Sequence, residues 1–213
     1  MEPLHLESIM KIALIGATGS VGSRILSEAL TRGHTLTGLA RQPEKLEARN
    51  GLRAKDADLA RPLEVAKTLE GHDVVVSAVR FRDFHVGDLL EAVRASGVPR
   101  LVVVGGAGSL RVASGQLLVD TPAFPEVAKL EAQAGAKVLE ALQRADESLD
   151  WTFISPSALF TPGERTGSYR LGKDDLLIGQ DGKSRISQED YALALVDELE
   201  AGAHPRQRFT VGY

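Results

Sequence analysis

The chain has no cysteine among its 213 residues, which excludes disulfides, thiolate nucleophiles and cysteine-ligated zinc. No apolar run approaches the ~18 residues that a membrane-spanning helix needs. The five histidines show no H-x-x-x-H pattern, so no metal centre is expected. Basic residues are not in excess: 25 stand against 29 acidic ones, a net charge of −4, so we expect neither a nucleic-acid nor a membrane partner.

Residues 1–9 lack the basic and apolar regions of a secretory signal peptide. Because Met10 directly precedes the first predicted strand, we interpret them as an extension or as an artefact of a true start at Met10. A hydrophobic share of 43% suffices for a packed core. We therefore expect one cytoplasmic domain over residues 10–213, as a monomer or homodimer, acting on a small-molecule substrate.

A glycine-rich turn joins the first predicted strand to the first predicted helix. Residues 12–15 form an uninterrupted apolar run, typical of a strand buried on both faces, and helical spacing begins at Ser20. Gly16 permits a tight turn, Gly19 a close approach of phosphate to the backbone, and Gly22 close packing of helix on strand. The spacing G-x-x-G-x-x-G is close to the dinucleotide fingerprint, although a glycine-rich turn of some other α/β protein is the alternative.

Sites that prefer NAD usually place an acidic residue about 20 positions beyond the glycines, on the ribose 2′-hydroxyl. Here no Asp or Glu stands between Glu28 and Glu44, and Arg41 follows the second predicted strand, residues 34–40. A guanidinium there can bind a 2′-phosphate, so we predict NADP(H) in preference to NAD(H), with Lys45 as a weaker second candidate. The alternative is a solvated loop arginine.

Strands and helices continue to alternate, with predicted strands at 51–58, 73–79 and 100–104 and helices at 62–69 and 88–96. Ligands of parallel sheets lie beyond the carboxyl ends of the strands. We therefore expect the adenine edge and the ribose at residues that follow these strands. The candidates are Asp58, Leu59, Ser77, Ala78, Val79 and, beside the nicotinamide, Gly105.

Two side chains are candidates for chemistry. Ser109 is the hydroxyl residue at the end of the fifth strand and could hold a substrate carbonyl, with a flexible loop serine as the alternative. The aromatic and basic loop over residues 80–85 could contact substrate or simply close the surface. His85 in this loop is a remote candidate for proton relay, and a surface histidine is the alternative.

The second half of the chain predicts a long connection at 110–125 that covers the active site, a helix at 126–146, and strands at 151–156 and 208–212. Ser187 should cap a helix over residues 188–200, with Asp190 near its positive end. The long helix carries an apolar stripe that we interpret as core. The stripe consists of Val127, Leu130, Ala134, Val138, Leu139 and Leu142.

These elements predict an α/β fold: a doubly wound parallel sheet of the Rossmann type, with helices on both faces. We expect residues 156–187 and 205–213 to form a small substrate-side lobe.

The chain resembles the NAD(P)H-binding, NmrA-like branch of the atypical short-chain dehydrogenase/reductases over residues 10–213. That branch includes biliverdin reductase B-type flavin reductases and bacterial epimerase/dehydratase-like proteins. The resemblance is carried by residues 16–22, the strand end at 40–41, residues 104–108, 153–156 and 185–192. It implies that Gly16, Thr18, Gly19, Ser20 and Val21 surround the diphosphate and that Arg41 binds the 2′-phosphate. It also implies Asp58 and Leu59 near adenine, with Ser77, Ala78 and Val79 along the ribose.

The general acid of the classical members is missing. They use Tyr-x-x-x-Lys, but Gln133 stands four positions before Lys137, and no tyrosine occurs between residues 1 and 168. Hydride transfer to an acceptor that takes its proton from water stays possible. The resemblance therefore implies an NADPH-dependent reductase of a small conjugated acceptor such as a flavin or quinone. The alternatives are a non-catalytic NADP(H)-sensing regulator and an epimerase/dehydratase-like enzyme.

Overall fold

The computed structural model describes residues 9–213, so the interpretation of residues 1–8 as an extension or artefact lies outside the described part. The strands are β1 Lys11–Ile15, β2 Thr35–Ala40, β3 Leu52–Asp56, β4 Val74–Ser77, β5 Arg100–Val104, β6 Asp150–Pro156, β7 Leu159–Thr161, β8 Arg170–Gly172, β9 Arg185–Ser187 and β10 Gln207–Gly212. The α-helices are α1 Ser20–Thr31, α2 Pro62–Leu69, α3 Val86–Ser96, α4 Glu126–Gln143 and α5 Gln188–Ala201. Short 3₁₀ helices occupy Pro43–Lys45, Phe81–Asp83 and Leu118–Asp120.

The central sheet has eight strands in the order β3-β2-β1-β4-β5-β6-β10-β8. Neighbouring strands are parallel, except that β8 runs antiparallel to β10. The chain runs outward from β1 to β3 on one side and from β4 to β6 on the other. The predicted Rossmann-type fold is therefore confirmed, and the point where the strand order reverses, between β1 and β4, is where such sheets bind ligands.

Helices cover both faces of this sheet, which explains why β1 and β4 are apolar without alternation. One face packs against α2, α3 and α4 through residues such as Leu69, Leu89 and Val138. The other packs against α1 and α5 through residues such as Ile25 and Leu195. Burying each of these side chains contributes about 1.5–3 kcal/mol.

The prediction that the α4 stripe is core is wrong for its first two members. Val127 is 93% exposed and Leu130 is 60% exposed. The helix buries residues only from Gly135 onward, because its first turns pack against the loop segments around Phe81 and Val119 rather than on the sheet. Helical periodicity identifies the face that points inward, but not the turn at which the helix reaches the core.

The C-terminal part contributes to two sheets. β7 and β9 form a separate two-stranded parallel sheet, whereas β10 lies between β6 and β8 in the central sheet. β8, which lies within residues 156–187, also belongs to the central sheet, and the expected small substrate-side lobe of residues 156–187 and 205–213 stays a prediction. Among the helices of residues 9–213, none combines the length and apolarity that a bilayer crossing requires.

Candidate cofactor cleft

The turn between β1 and α1 is tied to the neighbouring strands. Gly16 has a φ of +86°, which only glycine adopts without strain, and its N–H donates to the Leu39 carbonyl at 2.9 Å. A Cβ on Gly16 would lie 2.8 Å from the Ala78 carbonyl oxygen. The Gly19 N–H donates back to the Gly16 carbonyl at 3.0 Å. The first glycine therefore has the tight-turn geometry expected of it, whereas the close approach of phosphate at Gly19 stays a prediction.

The third glycine lets α1 start directly against this turn. A Cβ on Gly22 would lie 2.1 Å from the Gly16 carbonyl oxygen, closer than real Cβ contacts allow. Gly19 is the N-cap of α1, and no side chain caps the helix there. The N–H groups of the first helical turn, which a side-chain cap often satisfies, are thus available to an anionic ligand.

A cleft of about 370 Å³ opens beside this helix start, at the carboxyl ends of β1, β2 and β4. The glycine turn forms one wall, and the residues after β2, β3 and β4 form the others. Its lining is Ile15, Gly16, Thr18, Gly19, Leu39, Ala40, Arg41, Ala57, Asp58, Leu59, Ala78, Val79, Arg80 and Asp83. The shape and position fit the adenosine and diphosphate part of a dinucleotide bound at the switch point.

The fold brings most of the sequence-predicted cofactor residues to this cleft. Those that line it are Gly16, Thr18, Gly19, Arg41, Asp58, Leu59, Ala78 and Val79. Lys45 lies in the exposed 3₁₀ helix beyond the lining. Their roles toward a bound nucleotide stay predictions.

Four predicted residues lie outside the lining. The Ser20 hydroxyl donates to the Gln188 side chain at 2.6 Å, and Val21 packs partly buried on the α5 side of the sheet. Through their backbone N–H groups both still stand at the start of α1. Ser77 is 1% exposed, and its Oγ has no hydrogen-bond partner within residues 9–213. Gly105 packs against β6, with its N–H donating to the Ile154 carbonyl at 2.8 Å.

Sequence reasoning gave Asp83 no role in the cleft and considered Arg80 only as part of a loop that could contact substrate. Nη2 of Arg41 lies 3.7 Å from Oδ2 of Asp83, although 42 positions separate the two residues along the chain (83 − 41). The acidic residue expected in NAD sites would lie in the segment after the glycines, whereas the fold supplies a carboxylate from the 3₁₀ helix that follows β4, the strand on the other side of β1. No local pattern could have indicated it.

The two candidates for chemistry lie elsewhere. The Ser109 hydroxyl accepts a hydrogen bond from Nη1 of Arg208 at 3.2 Å, and Arg208 also pairs with Asp174 at 2.7 Å. His85 is exposed at the N-cap of α3. Neither side chain lines the cleft, and both assignments stay predictions.

The hydroxyl groups of all three tyrosines form hydrogen bonds within the C-terminal half of the chain. Tyr191 is fully buried and donates to the Ile154 carbonyl, and burial raises the pKa of its phenol. Burial, together with the hydrogen bond to Asp197, likewise raises the pKa of Tyr169. Tyr213 donates to Asp190 at 2.6 Å. The fold thus supplies no tyrosine in place of the missing Tyr-x-x-x-Lys acid.

The carboxylate of Glu131 on α4 fixes the loop that follows β4. It accepts the N–H of Phe81 at 2.7 Å and the N–H of Arg82 at 3.2 Å, the first two donors of the 3₁₀ helix. The Phe81 ring is buried, stacks on Phe153 and fills the space that Gly135 leaves open. Glu131 therefore positions one wall of the cleft from a neighbouring helix.

Substitution of Glu131 by glutamine should loosen this wall. Because glutamine has a single acceptor oxygen and its NH₂ group would face the second N–H, we expect a loss of about 1 kcal/mol in the free energy of unfolding and a several-fold weaker affinity for NADPH. Urea unfolding and fluorescence titration measure the two effects. The matched control is Glu140→Gln on the same helix, whose carboxylate meets the exposed Arg144 and should change stability by less than about 0.5 kcal/mol.

A larger groove of about 640 Å³ lies at the opposite edge, along the amino ends of β1, β2 and β3. Its lining includes Lys11, Arg53, Glu70 and His72. Ligands of parallel α/β sheets bind at the carboxyl ends, so size alone does not make this groove the functional site.

Residues 9–213 contain no group of three His, Asp or Glu side chains placed to hold a metal ion.

The glycine turn, the uncapped helix start and the cleft at the switch point define a Rossmann-fold, dinucleotide-binding protein. The chain belongs to the NAD(P)H-binding family, whose sequence model matches residues 16–201.

Three relatives extend over nearly the whole chain. The uncharacterized protein YwnB of Bacillus subtilis (strain 168) is 41% identical over 95% of this chain and 98% of its own. A Bacteroides thetaiotaomicron structure, provisionally described as an epimerase, is 43% identical with a TM-score of 0.90, covering 97% of this chain and 98% of that one. A Streptococcus pneumoniae TIGR4 structure, provisionally described as an NADH-flavin reductase, is 35% identical with a TM-score of 0.79, covering 95% and 99%.

Proposed function

We propose that the protein is an NADPH-dependent reductase of a small conjugated acceptor such as a flavin or quinone. The observation that carries the proposal is the cleft itself: a glycine turn against an uncapped helix start, with Arg41 on the rim. The Streptococcus pneumoniae relative, provisionally described as an NADH-flavin reductase, favours a flavin among the acceptors.

The chain's own residues would bind and orient the cofactor rather than move protons. The start of α1 would hold the diphosphate, Arg41 would pair with a 2′-phosphate, and Leu59 and Val79 would pack against the adenosine. The bound reduced nicotinamide supplies a hydride. A flavin or quinone that accepts it can take its second proton from water, which suits a cleft that no tyrosine lines.

Charge reversal at Arg41 tests the phosphate contact. In fluorescence titrations of the purified protein, Arg41→Glu should weaken NADPH binding at least about tenfold, because a charge-assisted contact becomes a repulsion. NADH affinity should change by much less. The matched control is Lys45→Glu, which makes the same charge change outside the cleft and should leave the NADPH affinity nearly unchanged. Equal losses in both variants would contradict the assignment.

Turnover tests the reductase proposal separately from binding. Protein mixed with NADPH and flavin mononucleotide, or with a quinone, should oxidise the nucleotide faster than buffer alone. If NADPH binds but is oxidised no faster than in buffer across flavins and quinones, the reductase proposal is wrong.

A non-catalytic NADP(H)-sensing protein of the NmrA-like kind is a second candidate. It is favoured by the engagement of all three tyrosines away from the cleft. This candidate predicts similar affinities for NADP⁺ and NADPH, no turnover, and a protein partner recovered from lysate.

An epimerase or dehydratase is a third candidate, suggested by the Bacteroides thetaiotaomicron relative. It is disfavoured because sugar epimerisation needs a strong proton donor and no tyrosine lines the cleft. Whichever activity holds, we propose a cytoplasmic monomer or homodimer that acts on a small molecule, without nucleic-acid or membrane partners; gel filtration distinguishes the two oligomeric states.

A further inference from the structure

Two opposite charges face each other across the rim of the cofactor cleft. Arg41 follows β2, and Asp83 ends the 3₁₀ helix after β4; both line the cleft, with 3.7 Å between Nη2 and Oδ2. A 2′-phosphate held by Arg41 would therefore lie within a few ångströms of a carboxylate. The cleft that carries the phosphate-binding arginine also carries the group that opposes phosphate.

Asp83 does not sit on a loosely held loop. Its N–H donates to the Arg80 carbonyl at 3.0 Å, and the two residues before it donate to Glu131. The buried Phe81 ring anchors the same turn to the core. The fold thus fixes the backbone that carries this carboxylate; the Asp83 side chain is 41% exposed, and the Arg41 side chain, at 77%, is freer to reorient.

We propose that Asp83 is a cofactor-selecting residue that opposes a 2′-phosphate at Arg41 and favours a ribose 2′-hydroxyl. This inference rests on the proposed nucleotide-binding function. A carboxylate is the group that receives the 2′-hydroxyl in NAD-binding sites, where it follows β2. Here it comes from the 3₁₀ helix that follows β4, on the other side of β1. Arg41 makes the affinity for NADPH higher than that for NADH. Asp83 keeps the difference between the two affinities small, so the protein uses NADH as well.

The test compares the dissociation constants of NADPH and NADH for the unmodified protein, Asp83→Asn and Asp83→Ser. Both variants should bind NADPH about fivefold more tightly, the upper range for a partly exposed charge pair. NADH should bind no more tightly than to the unmodified protein. The gain for NADPH should shrink in 1 M salt, where the screening length falls to about 3 Å.

Glu44→Gln is the matched control, since it removes one negative charge after β2 but outside the cleft lining. It should leave the ratio of the two constants unchanged. Unchanged ratios in both Asp83 variants, or equal tightening for NADPH and NADH, would overturn the inference while leaving the proposed function intact. If neither nucleotide binds the unmodified protein, the proposed function fails and the inference fails with it.

Discussion

Substitution of Gly22 by alanine is expected to abolish nucleotide binding and to lower the free energy of unfolding by about 3 kcal/mol. The added Cβ would stand 2.1 Å from the Gly16 carbonyl oxygen and 3.2 Å from the Ala17 Cα. These are backbone atoms, so no side-chain rotation relieves the clash. Either α1 moves away or the turn moves, and the turn is tied to Leu39 by the Gly16 N–H.

Both adjustments destroy the place where the diphosphate would lie. Moving α1 withdraws its N–H groups from the cleft, and moving the turn displaces Thr18 and Gly19 from its wall. Thermal unfolding should show a midpoint lower by about 6–12 °C, since each kcal/mol shifts it by roughly 2–4 °C at this chain length. Fluorescence titration at a temperature where the variant is folded should show no saturable NADPH binding.

Gly87 provides the matched control, because it too lies in the first turn of a helix. Nothing lies within 4 Å of a Cβ added there, and its φ is ordinary. Gly87→Ala should therefore raise stability by about 0.5 kcal/mol through a less flexible unfolded chain. A Gly22→Ala variant that binds NADPH as tightly as the unmodified protein would show that the turn is not the phosphate site.

The sequence predicts the parts of this structure that depend on neighbours along the chain. Residues 12–15 are predicted as a strand because burial on both faces requires an uninterrupted apolar run, and the structure has β1 at Lys11–Ile15. The strand predicted at 73–79 is confirmed over Val74–Ser77. Ser187 was predicted to cap the last helix, and its hydroxyl accepts the Asp190 N–H. The glycine spacing likewise predicts the turn itself, whose hydrogen bond from the Gly19 N–H to the Gly16 carbonyl is local.

Contacts between distant segments are not predictable in the same way. The approach of Asp83 to Arg41 depends on the order of β2, β1 and β4 in the sheet and on the anchoring of Phe81. Val127 and Leu130 are predicted as core because their spacing is helical, yet they lie on the first turns of α4, before the helix reaches the sheet. Single-sequence patterns report local periodicity, and the cleft's electrostatics come from the packing of remote strands.

The carboxylate of Asp190 is a second feature that local sequence patterns do not indicate, because it joins α5 to two other segments of the chain. It is fully buried and accepts four hydrogen bonds: the N–H and hydroxyl of Thr166, the N–H of Gly167 and the hydroxyl of Tyr213. The segment before β8 and the end of the chain are thereby fastened to α5. The sequence placed Asp190 near the positive end of a helix, which is confirmed, but gave no sign of these partners.

Replacement of Asp190 by asparagine should lower the free energy of unfolding by about 3 kcal/mol at pH 7. The amide has no net charge. Its NH₂ group would also face an N–H or hydroxyl donor that a carboxylate oxygen accepts in the unmodified protein. Asp175→Asn, an exposed aspartate in the same region, should change stability by less than about 0.5 kcal/mol. Urea unfolding of both variants measures the difference. NADPH affinity should be little changed in folded Asp190→Asn, because Asp190 does not line the cleft.

The pH dependence distinguishes the charge of Asp190 from its shape. Burial raises the pKa of this carboxyl, but the hydrogen bonds from Thr166, Tyr213 and Gly167 outweigh burial and leave the pKa below its ordinary value. A lowered pKa in the folded state means that the stabilisation is fully present above the unfolded pKa of about 3.9 and is lost as the pH falls through the folded value. The stability gap between the unmodified protein and Asp190→Asn should therefore be constant from pH 7 to about pH 5 and should narrow below about pH 4. A gap that persists unchanged at lower pH would mean that the amide destabilises the variant through its shape, and that the charge of the carboxylate does not stabilise these contacts.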